Sequence, residues 1–126
     1  MIFGIGTDIV DYSRIETIWN RYGNRFAERV LSARELPEFM VHDNQPRFLA
    51  KRFAAKESFA KAVGSGLRAP VCLHRISVTH DGLGKPVFQF DEVLRRHLAQ
   101  LGISGHHLSV SDEHNMIVAF AVLETN

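Results

Sequence analysis

Two carboxylates stand among residues that make them costly. Asp8 sits in the apolar opening run MIFGIGTDIV, residues 1–10, and Glu57 sits inside PRFLAKRFAAKESFAKAV, residues 46–63. Read as a strand, the opening run alternates sides, placing Phe3, Ile5, Thr7 and Ile9 on one face and Gly4, Gly6 and Asp8 on the other. The glycines then leave space on the face that carries the acid. Read as a helix, the second segment turns about 100° per residue, which puts Glu57 in a sector with Phe53, Ala54, Ala60 and Lys61. The solvated side then carries Lys51 and Ser58. A carboxylate in that sector needs a cation. Helix geometry alone favours an ordinary Glu57–Lys61 ion pair, and the opening run alone fits Asp8 equally well as a strand-end or helix-cap residue. Brought together, the two acids would suit Mg²⁺, which takes one or two protein carboxylates and completes its shell with water and phosphate oxygens. Arg52, Lys56 and Lys61 on the same helix, the Gly64-Ser65-Gly66 turn and Lys85 would make the surroundings fit a pyrophosphate.

Other arrangements are weaker. A dinucleotide loop needs a third glycine where Ile9 stands, and the strand-like run continues past it. His106, His107 and His114 lack metal-ligand spacing, because neighbouring strand positions face opposite ways. One of them could still contact an anion. Cys72 is the only cysteine, so an intrachain disulfide is excluded, and it reads as a small buried residue. Between residues 12 and 34 five arginines face two glutamates. Arg14, Ile18, Arg21 and Arg25 share a narrow stripe if the helix runs through Gly23. Such a stripe suits either an acidic partner or a solvated helix face.

The elements that must position these residues follow from periodicity. Residues 2–10 read as a strand. A helix capped by Ser13 buries Ile15, Trp19, Tyr22 and Phe26, and Ser32-Ala33-Arg34-Glu35 reads as a capping box before a shorter helix. The long helix over 46–63 ends at Gly64-Ser65-Gly66. Strands 75–80 and 87–90 flank DGLGKP, a helix covers 91–101, and strands 107–111 and 116–123 flank DEHN. That order predicts an α+β fold with a mainly antiparallel sheet. The 126 residues, 45% hydrophobic and 23% charged, fit a single domain over 1–126. A net charge of +1 argues against nucleic acid, and no apolar run reaches membrane length or forms a signal segment. The expected location is the cytoplasm, away from membranes.

GIGTDIVDYSRIE at 4–16 and RFAAKESFAKAVGSG at 52–66 closely resemble the paired signature motifs of the holo-[acyl-carrier-protein] synthase family, the short-chain 4'-phosphopantetheinyl transferases. LGKP at 83–86 and the ending SDEHNMIVAFAV extend the likeness along the chain. The resemblance implies Mg²⁺-dependent transfer of 4'-phosphopantetheine from coenzyme A to a serine of an acidic apo acyl carrier protein, with release of adenosine 3',5'-bisphosphate. By matching position it implies Asp8 and Glu57 as Mg²⁺ ligands, Glu57 also as acceptor of the serine proton, and Lys61 as the group neutralising the pyrophosphate. It implies contacts to the nucleotide end of coenzyme A from Arg52, Gly64, Ser65, Gly66, Lys85, Pro86 and His106. Arg14, Arg21 and Arg25, with Ile18 in their stripe, become the carrier-docking face. It further implies a homotrimer with each active site at a subunit boundary. Against this stand two readings the residues also admit: a non-catalytic coenzyme A or nucleotide-binding module, and a different Mg²⁺-dependent phosphohydrolase.

Overall fold

A computed structural model describes residues 1–126. The fold is α+β, and every strand pair is antiparallel. The N-terminal strand β1 (Ile2–Asp11) leads to α1 (Tyr12–Tyr22), α2 (Asn24–Val30), α3 (Leu36–Met40) and α4 (Gln45–Val63). A 3-10 turn (Leu73–Arg75) precedes the hairpin β2 (Ile76–His80) and β3 (Pro86–Phe90). Then come α5 (Glu92–Gln100), β4 (Ile103–Glu113) and β5 (Met116–Thr125). The first strand returns to the last, giving a three-stranded sheet in the order β1-β5-β4 beside the two-stranded β2-β3 sheet.

Helix α4 is buried almost all round, as expected for a central helix rather than a surface one. Its Phe48, Leu49, Ala54, Phe59 and Ala62 belong to a hydrophobic core of 26 residues shared with Ile117, Ala119, Ala121 and Leu123 of β5. Ser58, expected on a solvated side, is fully buried with its hydroxyl on Ala55 O at 2.7 Å, because the sheet covers that side of the helix.

The register of β1 is as the alternation predicts, but its glycines serve another purpose. A Cβ on Gly4 would lie 2.1 Å from Ala62 O, and one on Gly6 would lie 2.0 Å from Ser58 O. The room beside Asp8 is therefore filled by the backbone of α4, and the glycines permit strand and helix to pack in direct contact.

Several element boundaries move for physical reasons. Because β1 stays paired as far as Asp11, opposite Met116, the helix cap is Asp11, whose carboxylate accepts from Ser13 N at 2.9 Å. Gly23, at φ 54°, separates α1 from α2. Tyr22 is 46% exposed rather than part of the buried face. Glu35 completes half of the expected box by accepting from Ser32 N at 2.9 Å, while Ser32 Oγ lies 2.6 Å from Ser77 Oγ. The helix itself starts at Leu36. The last hairpin turns over His114 and Asn115 alone, with His114 at φ 47°, so Asp112 and Glu113 extend the strand. Arg75 lies in the 3-10 turn rather than the strand, and Cys72 is only half-buried.

The outer face of the three-stranded sheet stays uncovered. Rows Ile5–Val122–His107, Thr7–Phe120–Ser109 and Ile9–Val118–Ser111 run across it. Ile5 is 58% exposed, Ile9 62% and Phe120 39%.

Candidate functional site

Asp8 and Glu57 meet. Strand β1 brings Asp8 over the face of α4 that carries Glu57, and both line a cavity of about 330 Å³ with Arg14, Ile18, Phe26 and Phe53. Lys61 does not take Glu57 as its ion-pair partner. Its ammonium donates to Asp8 Oδ1 at 3.1 Å and to Thr7 O at 3.0 Å. The reason is the close β1–α4 approach, which offers Lys61 a carboxylate and a carbonyl from the strand together. Burial, then the charge of Asp8, raises the Glu57 carboxyl above its ordinary range, with Lys61 opposing. Glu57 thus lies half-buried near a second acid and has no ion pair of its own, since Lys61 is taken by Asp8. No cluster of three or more His, Cys, Asp or Glu side chains occurs. The pair fits Mg²⁺, which needs few protein ligands, and does not fit a closed all-protein cage.

The arginine stripe borders that cavity. Arg14 and Ile18 line it directly, and Ile18, Phe26 and Phe53 also line an adjoining apolar cavity of about 420 Å³. Tyr22, Arg25, Arg29, Val30 and Leu73 complete the second cavity. Thus Gly23 breaks the helix without removing Arg25 from the groove that begins at Asp8. Arg21 lies over the Tyr22 ring at 5.3 Å and lines neither cavity.

The other predicted contacts divide into groups. Lys85, Pro86 and His106 line a third cavity of about 220 Å³ together with Asp81. His106 is packed edge-on against Phe90, and its buried Nδ1 has no hydrogen-bond partner. Burial, then neighbouring His107, lowers its pKa. This third cavity shares no lining residue with the Asp8–Glu57 cavity. Arg52 borders a smaller cleft with Lys51, His80, Gly84 and Pro86. Its guanidinium is 6% exposed, with Nε 3.1 Å from Glu35 and the ion over the Phe48 ring at 4.2 Å. At the end of α4, Gly64 and Gly66 both donate their amides to Ala60 O, at 3.1 and 3.3 Å. These amides therefore close the helix instead of facing an anion, which is the usual use of a left-handed glycine after a last turn. Open space surrounds both glycines on the outside. Lys56, expected among the cations of the site, points away from it and is fully buried beside Glu35.

Phe26, Phe53, Val30 and Leu73, the apolar lining of the groove, did not stand out as functional in the sequence. Phe26 was legible only as one of a helical apolar series, and the joining of α2, α4 and the 3-10 turn is a tertiary event.

The model of the 4'-phosphopantetheinyl transferase superfamily matches residues 4–119. The holo-[acyl-carrier-protein] synthase of Nitrosomonas europaea is 54% identical over 124 residues, 98% of this chain and 99% of that protein. The crystal structure of the Neisseria meningitidis holo-[acyl-carrier-protein] synthase superposes with a TM-score of 0.96 at 48% identity, covering 99% of this chain and all 100% of that one. A Bacillus anthracis holo-(acyl-carrier-protein) synthase in complex with CoA (3',5'-ADP) gives 0.83 at 34% identity, covering 100% and 99%.

Proposed function

Because the chain belongs to the 4'-phosphopantetheinyl transferase superfamily, we propose that it is a holo-[acyl-carrier-protein] synthase, moving 4'-phosphopantetheine from coenzyme A to a serine of apo acyl carrier protein. The observation that carries the reading is the Asp8–Glu57 cavity opening into a basic-rimmed apolar groove. A phosphoryl acceptor and its protein can be held in one continuous surface there.

In this reading the carrier serine attacks the phosphorus nearer the pantetheine, and the bond to the bridging oxygen breaks. Adenosine 3',5'-bisphosphate leaves. Such transfers depend mainly on positioning and charge neutralisation. Mg²⁺ held by Asp8 and Glu57 would supply positive charge to the pyrophosphate. Lys61, 52% exposed at its side chain and already against Asp8, adds charge that can swing to a phosphate oxygen. Glu57, which lines the cavity that would receive the serine hydroxyl, accepts its proton, directly or through a water. Arg14, Ile18, Arg21 and Arg25 receive the acidic carrier, with salt bridges at the rim steering it and Phe26 and Phe53 taking apolar side chains.

The nucleotide end is assigned to Lys85, Pro86 and His106, which share one cavity, with further contacts from Arg52, whose cleft also includes Pro86, and from Gly64, Ser65 and Gly66 at the C-terminal end of α4. Their cavity is separate from the metal cavity within one chain, which favours completion of each site by a second subunit. The uncovered apolar sheet face supplies the surface for the homotrimer. No helix is long and apolar enough to cross a membrane, and we place the reaction in the cytoplasm.

The test is to incubate the chain with apo acyl carrier protein, coenzyme A and Mg²⁺ and to weigh the carrier by mass spectrometry. The expected result is one phosphopantetheine adduct on serine, lost in Asp8→Ala and in Glu57→Ala while circular dichroism is unchanged. An unmodified carrier with the wild-type chain refutes the transferase, and full activity in either variant refutes the metal assignment.

A further inference from the structure

The most deeply buried charges lie outside the site. Lys56 Nζ donates to Glu35 Oε1 at 2.6 Å, Val30 O at 2.7 Å and Leu73 O at 3.0 Å, so each of its N–H bonds has an acceptor. Glu35 accepts in turn from Ser32 N and Val78 N, both at 2.9 Å, and faces Arg52 Nε at 3.1 Å. The pair is completely satisfied and shut off from water, with side-chain exposures of 0% for Lys56 and 1% for Glu35. Burial lowers the Lys56 pKa to about 8 despite the carboxylate beside it.

An ion pair of this kind is a weak source of stability, since well-packed apolar replacements are commonly as stable or more so. What an ammonium supplies and an apolar side chain does not is direction. Here its direction joins two particular carbonyls, Val30 O at the end of α2 and Leu73 O in the 3-10 turn. No backbone hydrogen bond links these two segments. Both residues line the apolar groove, where α2 also contributes Arg25, Phe26 and Arg29. Glu57, the next residue on α4, projects about 100° away into the metal cavity. The tether therefore acts on the groove and leaves the reacting end of the site on another face of the helix.

We propose that Lys56, held by Glu35, is a positioning residue for carrier recognition: it fixes the spacing of α2 and the 3-10 turn, and so the width of the docking groove. The inference rests on the docking role proposed for that groove. An acidic partner meets charges that long-range steering finds in any geometry, but its apolar side chains need a cavity of set width.

Steady-state kinetics on the full-length chain with apo acyl carrier protein and Mg²⁺–coenzyme A test it. Lys56→Met, similar in volume to lysine, raises the KM for the carrier about tenfold and leaves kcat and the KM for coenzyme A within about twofold. Glu35→Gln keeps one acceptor for Lys56 and gives the same split at smaller amplitude. Cooperative thermal unfolding confirms that each variant is folded. An unchanged carrier KM in Lys56→Met, or an equal loss toward both substrates, overturns the inference; failure of both variants to fold does so as well, since the pair is then a matter of structure alone. Active wild type without the kinetic split removes only the positioning role. Wild type that forms no adduct removes the transferase reading and this inference with it.

Discussion

At the scale of single residues, the central fact is that Glu57 is held close to a second carboxylate, Asp8. Its raised pKa means the metal-free fold disfavours the charged form. A carboxyl whose folded pKa is raised contributes its stability below the unfolded value of about 4.5 and loses it as pH rises through the folded value. Glu57→Gln should therefore melt above wild type at pH 7 in chelator and equal to it near pH 4. Added Mg²⁺ should raise the wild-type Tm and leave Glu57→Gln nearly unmoved. Differential scanning fluorimetry across pH and Mg²⁺ checks both; a neutral-pH Tm for the metal-free variant below wild type would contradict the repulsion. The two acids were legible in the sequence because each broke the apolar pattern of its own element. The partner of Lys61 was not: helix spacing pointed to Glu57, and the Thr7 carbonyl and Asp8 carboxylate that capture the ammonium come from 54 and 53 residues away.

At the scale of elements, the contact of β1 with α4 sets the distance between the Asp8 and Glu57 carboxylates. Gly6→Ala would put a Cβ 2.0 Å from Ser58 O and 2.6 Å from Ala62 N, both backbone atoms that cannot swing aside. The variant should lose about 2 kcal/mol or more of stability, read by urea unfolding, as overpacked positions do. Loss below about 0.5 kcal/mol would mean the elements slide apart easily. The helical arginines permit a second measurement. Reversal of charge in Arg14→Glu should raise the KM for the carrier about tenfold, lessened by salt, and change the KM for coenzyme A little. Equal effects on both would count against the docking face. Helices, hairpins and their order were readable from periodicity and turn residues. The Gly4 and Gly6 side of β1 was readable too, but its meaning was not, because an absent side chain looks the same whether it leaves room for a ligand or for a helix backbone.

At the scale of the whole molecule, the uncovered sheet face and the divided cavities belong together. Ile5, Ile9, Val118 and Phe120 form an exposed apolar band on the face opposite α4, larger than scattered surface apolar residues require. If three copies cover it, Phe120→Glu should give a monomer by sedimentation velocity, and transfer should fall at least about 100-fold as split sites separate, a loss of about 2.7 kcal/mol. A monomeric wild type with full activity would refute the shared site.

Local patterning along the chain was enough for the α+β order, the strand that carries Asp8, the helix that carries Glu57 and Lys61, and the family motifs they form. These are local quantities, written in periodicity, turn residues and short spacings. Tertiary structure alone decided that β1 lies directly on α4, that Lys61 pairs with Asp8, that the glycine amides after α4 turn back to Ala60, and that Lys56 and Glu35 are sealed inside the protein. Each depends on which distant surfaces exclude water from which charges, and no window along one chain contains both partners.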